Sequence, residues 1–155
     1  MLARRAAATW AILRAVHDAP SWEPFGFTEE HRESAPMPRA PARRLIVLTC
    51  MDARIDPLEV LGLRLGDAHV IRNAGAEITP DVLHSVRLSQ SAGGTERAWI
   101  VGHTDCAARQ SDEDAEVAVE AAVAALTAAV PTLDVVGAIY DVRTRTHRRV
   151  ACPRQ

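Results

Sequence analysis

The chain has 155 residues, 48% of them hydrophobic, which is enough for one compact domain with a sizeable core. Its 18 basic and 20 acidic residues are interspersed and leave a formal charge of -2, so neither a nucleic-acid-binding stripe nor an acidic tail stands out. The three cysteines, Cys50, Cys106 and Cys152, form no disulfide framework, and no apolar run reaches the roughly 18 residues needed to cross a bilayer. A soluble protein of a reducing cytoplasm, with no nucleic-acid or membrane partner, is the expectation.

The elements can be taken in chain order. Residues 1–18 place Leu2, Ala6, Trp10, Leu13 and Val16 on one helical stripe. Arg14 interrupts the apolar stretch and no small-x-small cleavage site follows, so the segment reads as an amphipathic helix and not as a leader. Residues 19–43 contain Pro20, Pro24, Pro36, Pro38 and Pro41 and read as an extended arm. Helix and arm, residues 1–43, are expected to contact a second subunit.

From residue 44 to 155 the pattern is that of an α/β domain. "RLIVLTC" is a buried strand, Asp56-Pro57 caps and starts a helix ending near Gly62, and "AHVIRN" is a second strand. "TPDVLHSVRLSQSAGG" is a helix opened by Thr79-Pro80 and closed by Gly93-Gly94, followed by the strand "RAWIVGH". Ser111 caps a helix with three acids in its first turn, "VVGAIYDV" is a fourth strand, and "TRTHRRV" turns back as a short edge strand. Strands alternating with helices predict a central, mostly parallel sheet flanked by helices.

In this arrangement Cys50 ends the first strand, while His103 and Cys106 lie at the end of the third. The carboxyl edge of such a sheet is where ligands bind. Two thiols and an imidazole are three of the four ligands of a tetrahedral zinc, and a site with one position left for water is of the catalytic type. Against this stands the reading of each cysteine as a small buried hydrophobe. Cys50 and Arg54 are too close for a phosphatase loop, no C-x-x-C suggests a redox pair, and no glycine-rich phosphate cradle is present. His69 and His84 read as structural or surface histidines before proton shuttles, and Cys152 as a spare thiol.

"CMDAR", then "HVIRNAGA", then "IVGHTDC" resembles the β-class carbonic anhydrases, in particular their small, compact subgroup. The resemblance is close over about residues 44–106 and looser beyond. It implies one zinc ion per chain held by Cys50, His103 and Cys106. It implies an acid and base dyad of Asp52 and Arg54, in which the arginine keeps Asp52 from becoming a fourth zinc ligand. Asn73, Ala74 and Gly75 would shape the substrate pocket. The implied reaction is the reversible hydration of carbon dioxide to bicarbonate and a proton, in a homodimer or higher homo-oligomer. Relatives that hydrolyse carbonyl sulfide or carbon disulfide make that chemistry an alternative, and a non-catalytic zinc-binding scaffold is a third reading. Two departures from the family pattern stand out: Ala107 where a glycine is usual, and only "AARQS" between Cys106 and the acidic helix, where a longer segment would form part of a pocket wall.

Overall fold

The computed structural model describes residues 37–152; the expected N-terminal helix and most of the arm lie outside the described residues. The described elements are strand β1 (Leu45–Cys50), helix α1 (Pro57–Leu61), β2 (Ala68–Asn73), a 3-10 turn (Ala74–Ala76), α2 (Pro80–Gly93), β3 (Arg97–His103), α3 (Asp112–Ala129), β4 (Asp134–Asp141) and β5 (Thr146–Ala151). They build a five-stranded sheet in the order β2-β1-β3-β4-β5. The first four strands run parallel and β5 pairs antiparallel with β4. This is the α/β architecture that the alternation of elements predicts.

Each helix begins where side-chain chemistry satisfies its free amides. Asp56 accepts from the Leu58 and Glu59 N–H groups, Thr79 from Val82 and Ser111 from Asp114, and prolines occupy the first turns of α1 and α2. Gly62 and Gly94 end α1 and α2 in the left-handed conformation.

All six residues of β1 are buried, because parallel neighbours flank it and both sheet faces are covered there. Ile46 and Leu48 join Ile100, Val135 and Ile139 beneath the apolar faces of α2 and α3, while Leu45 and Val47 join Val101, Ile55 and Leu63 on the opposite face. Helix α3 lies flush on β3 and β4 because Gly102 and Gly137 present no side chain to it. A Cβ at Gly102 would stand 2.6 Å from Val119 Cγ2, and one at Gly137 2.8 Å from Val119 Cγ1.

The last hairpin corrects the expected boundary of the edge strand. Residues 142–145 form a turn, with Asp141 Oδ1 accepting from the Arg143 and Thr144 amides, so β5 begins at Thr146. Arg145, at φ 59°, takes the left-handed position that a glycine commonly fills. A register shift interrupts the β4–β5 ladder between Gly137 and Ala138. At the other end of the domain, Ala42 and Arg43 donate backbone hydrogen bonds to Gly66 and Asp67, tying the end of the arm to the sheet.

Candidate metal centre

Strand β1 delivers Cys50 and strand β3 delivers His103 to the carboxyl edge of the sheet, and the loop that follows β3 brings Cys106 back toward both. The ligating atoms of all three residues lie within 4.8 Å of one another, and all three residues are buried. The two sulfurs are 3.9 Å apart, far beyond a disulfide. Two sulfurs bound at 2.3 Å to a tetrahedral zinc stand about 3.8 Å apart, so the spacing fits that ion.

The imidazole gives an independent test of the fit. His103 Nδ1–H donates to the Thr104 carbonyl at 2.9 Å, which leaves Nε2 with its lone pair. That atom is fully buried and has no hydrogen-bond partner. A buried nitrogen without a partner costs on the order of 1–3 kcal/mol. A metal ion bound there would satisfy the lone pair, and the carbonyl behind the ring is the usual arrangement for a ligating histidine.

Asp52 stands beside this cluster, with Oδ2 4.0 Å from His103 Nε2. Its two oxygens are held by Arg54: Oδ1 accepts from the Arg54 amide and Nε at 2.9 Å each, and Oδ2 accepts from Nη2 at 2.8 Å. The Arg54 guanidinium holds the Asp52 carboxyl well below the usual carboxylate range, and Asp52 and Asp105 in turn raise the pKa of Arg54. Burial pushes the Cys106 thiol up, partly opposed by the Ala108 amide and the charge of Arg109. No disulfide joins Cys50 and Cys106.

Three side chains that spacing alone does not single out complete the site. Arg54 Nη1 donates to Asp105 Oδ2 at 2.7 Å and Nη2 to the Asp105 carbonyl at 2.8 Å, so the guanidinium bridges two acids. Arg72 donates to the Cys50 carbonyl at 3.0 Å and the Asp52 carbonyl at 2.7 Å, fixing the backbone between thiol and carboxylate. Arg109 reaches from the loop after β3 to the turn after β2, with Nη2 2.9 Å from the Gly75 carbonyl. Arg72 lies inside "HVIRNAGA" and Asp105 inside "IVGHTDC", the signals that point to them, whereas Arg109 carries none.

Of the residues expected to shape the pocket, only Gly75 meets the metal donors: its N–H points at Cys50 Sγ, 3.4 Å away. Asn73 clamps the turn by bonding both the amide and the carbonyl of Glu77. Ala74 is exposed. A concavity of about 410 Å³, lined by Asp105, Cys106, Arg109, Ser111, Asp112 and Arg143 among others, opens beside the second thiol. Ala107 is exposed and outside the left-handed region, so its methyl imposes no strain on the loop. His69 occupies the amino end of β2, bonded to Ser89 and to the Arg39 carbonyl, as a structural histidine is. His84 is exposed and Cys152 half-buried.

A protein-family description, carbonic anhydrase, matches residues 45–133. "Beta-carbonic anhydrase 1" of Mycobacterium tuberculosis is 45% identical over 71 residues, which are 46% of this chain and 44% of that protein. "Carbon disulfide hydrolase" of Saccharolobus solfataricus is 47% identical over 64 residues, 41% of this chain and 31% of that protein. The matched stretch thus spans less than half the length of these relatives. Among solved structures, carbonic anhydrase from Streptococcus mutans superposes with a TM-score of 0.71 at 32% identity, covering 79% of this chain and 90% of that one. A β-carbonic anhydrase of Trichomonas vaginalis shares the fold at a TM-score of 0.73 and 18% identity, covering 98% of each chain.

Proposed function

The chain belongs to the carbonic anhydrase family, and from that premise we propose that it hydrates carbon dioxide reversibly to bicarbonate and a proton, using one zinc ion per chain. The observation that carries this reading is the convergence of two thiols and an unpartnered, buried imidazole nitrogen beside a carboxylate pinned by arginine. Cys50, His103 and Cys106 would hold the ion. Zinc supplies Lewis acidity and, by lowering the pKa of water, a nucleophile near neutral pH.

The chain's own residues account for the rest. Asp52, kept ionised, is an acceptor that orients a nucleophilic water through one hydrogen bond. Arg54 occupies both Asp52 oxygens and so keeps the carboxylate from turning onto the metal as a fourth ligand. Two thiolates bring more negative charge than three neutral imidazoles would and weaken the Lewis acidity at the site, so activity rises toward alkaline pH. The Gly75 N–H directed at the Cys50 sulfur supports a role for Asn73, Ala74 and Gly75 in shaping the substrate pocket.

The test is zinc content by elemental analysis together with stopped-flow hydration across pH. One zinc per chain with hydration increasing at alkaline pH is expected; a zinc-loaded protein without hydration above background would sink the reading. The similarity to carbon disulfide hydrolases favours a second reading, in which the same site attacks carbon disulfide or carbonyl sulfide. Hydrogen sulfide release, measured beside carbon dioxide hydration, separates the two. Activity that disappears in Asp52→Ala while zinc is retained would exclude a non-catalytic scaffold.

The further assignments rest on sequence. The amphipathic stripe and proline-rich arm of residues 1–43 support a homodimer contact separate from the zinc-binding domain 44–155, and residues 1–36 lie outside those described. An odd set of three cysteines with no disulfide framework supports a cytoplasmic location. No helix among the described residues is long and apolar enough to cross a membrane.

A further inference from the structure

Only five residues, 107–111, connect Cys106 to the start of α3, and within them Arg109 is the one charged side chain. The link is tight: the Arg109 amide donates to the Cys106 carbonyl at 2.9 Å, which turns the chain back over the second thiol. From there the guanidinium leaves the loop and crosses to the turn after β2. Its side chain is only 16% exposed, unusual for an arginine on a short surface connection.

We infer that Arg109 is a positioning residue of the metal centre, which ties the loop after β3 to the turn after β2 and so holds the Gly75 N–H against the Cys50 sulfur. The inference rests on the reading of Cys50, His103 and Cys106 as metal ligands. Gly75 sits at φ 70° and has no Cβ; one placed there would meet Arg109 Nη2 at 2.7 Å. The same residue therefore accepts from Arg109 through its carbonyl and donates to Cys50 through its amide. A glycine left to itself explores a wide range of backbone angles, and its N–H has no fixed direction without an anchor. The guanidinium is that anchor.

The competing account is an ordinary surface ion pair, since Arg109 Nη1 also lies 3.3 Å from Glu77 Oε1. Glu77 is 54% exposed, however, and an exposed pair at that distance contributes little. The bond to the Gly75 carbonyl is shorter and part-buried, and it is the one that connects to the sulfur. Hydrogen bonds to ligating atoms govern how a site holds its metal, and losing such outer contacts typically lowers metal affinity about 10–100-fold.

The experiment compares zinc affinity, by competition with a chromophoric chelator, and the thiolate-to-cobalt charge-transfer absorption of the cobalt-substituted full chain. Arg109→Ala is expected to weaken zinc binding about tenfold or more and to shift the charge-transfer band. Arg109→Lys, which still offers a donor to the Gly75 carbonyl, is expected to recover most of both. Glu77→Gln, which removes only the ion pair, should remain within about twofold of the parent. Should Arg109→Ala fail to fold, Arg109→Met, which keeps the aliphatic stem, carries the same expectations. Unchanged affinity and spectrum in the alanine or methionine variant, or an equal loss in Glu77→Gln, overturns the inference alone. A parent chain that takes up neither zinc nor cobalt at its cysteines overturns the reading of the site, and the inference with it.

Discussion

The loop after β1 is held at short range, whereas the loop after β3 is held from a distance. In the first, Arg54 bonds Asp52 two residues away, and Arg72 on the adjoining strand fixes the Cys50 and Asp52 carbonyls. In the second, Asp105 bonds Arg54 across 51 positions and its amide bonds the Asp112 carboxylate of α3, while Arg109 crosses 34 positions to Gly75. Asp105 also sits in the left-handed region at φ 53°, a conformation that costs an L-residue about 1 kcal/mol. The first loop has a local pair at its heart, Asp52 with Arg54, to which Arg72 and Asp105 add longer-range bonds; the Arg54 and Arg109 anchors of the second form only once the domain has closed around it. A cluster such as Cys50, His103 and Cys106, which could hold a metal, can thus draw one half of its support from sequence-local chemistry and more of the other from tertiary structure.

The largest effect is expected from the thiols themselves. Cys50→Ser and Cys106→Ser should each take zinc content from one per chain to near zero, with hydration falling below detection; a cysteine variant that retains stoichiometric zinc would show that one loop suffices. Next comes the acid of the first loop. Asp52→Asn should keep its zinc and lose about 100-fold or more in kcat/KM, as misplacing an orienting group does. Asp105→Asn, in the second loop, tolerates the same backbone angle and leaves Arg54 its bond to the Asp105 carbonyl, so its loss should stay within about tenfold of the parent. Equal losses in the two variants would break the distinction between the loops.

A smaller effect is expected on stability with pH. The folded-state pKa of Asp52 lies below its unfolded value, because Arg54 binds the charged form. Its contribution is therefore fully present above the unfolded carboxylate pKa of about 4 and is lost as pH falls through the folded value. Urea unfolding of the metal-free chain should show a gap between the parent and Asp52→Asn at pH 7 that narrows on acidification below about pH 4; a constant gap would mean that the pair does not hold the first loop. Smallest of all, Ala107→Gly should change kcat/KM by less than about twofold, since the methyl is exposed on an unstrained backbone and such sites carry little energy.

How much of this was legible follows the same division. The strands, the caps Asp56, Thr79 and Ser111, and the convergence of Cys50, His103 and Cys106 are written in short stretches: an apolar run, a capping residue with its proline, a thiol at a strand end. Asp52 and Arg54 are neighbours in sequence and in space. Arg109 was opaque for a physical reason. All 18 basic residues are arginines spread along the chain, so composition gives none of them special weight, and its partner lies beyond any local window. The last strand starts at Thr146, two residues after the Thr144 that "TRTHRRV" suggests, because Arg145 takes a backbone conformation usually signalled by glycine. The flush seat of α3 on Gly102 and Gly137 depends on Val119, which likewise no spacing rule connects to them.

The interior place of β1, between β2 and β3, has one more consequence. Its pairing with β3 spans an intervening strand and two helices, and it brings together two thiols 56 positions apart. Such pairing closes late, because the entropy of the long loop must be overcome before any contact repays it. A chain whose sheet is still open offers a metal ion one thiol at a time and holds it weakly. On the proposed reading, zinc is captured only by the finished fold and draws the population toward it by mass action, so zinc supply sets how many chains stay folded as well as how fast each one works.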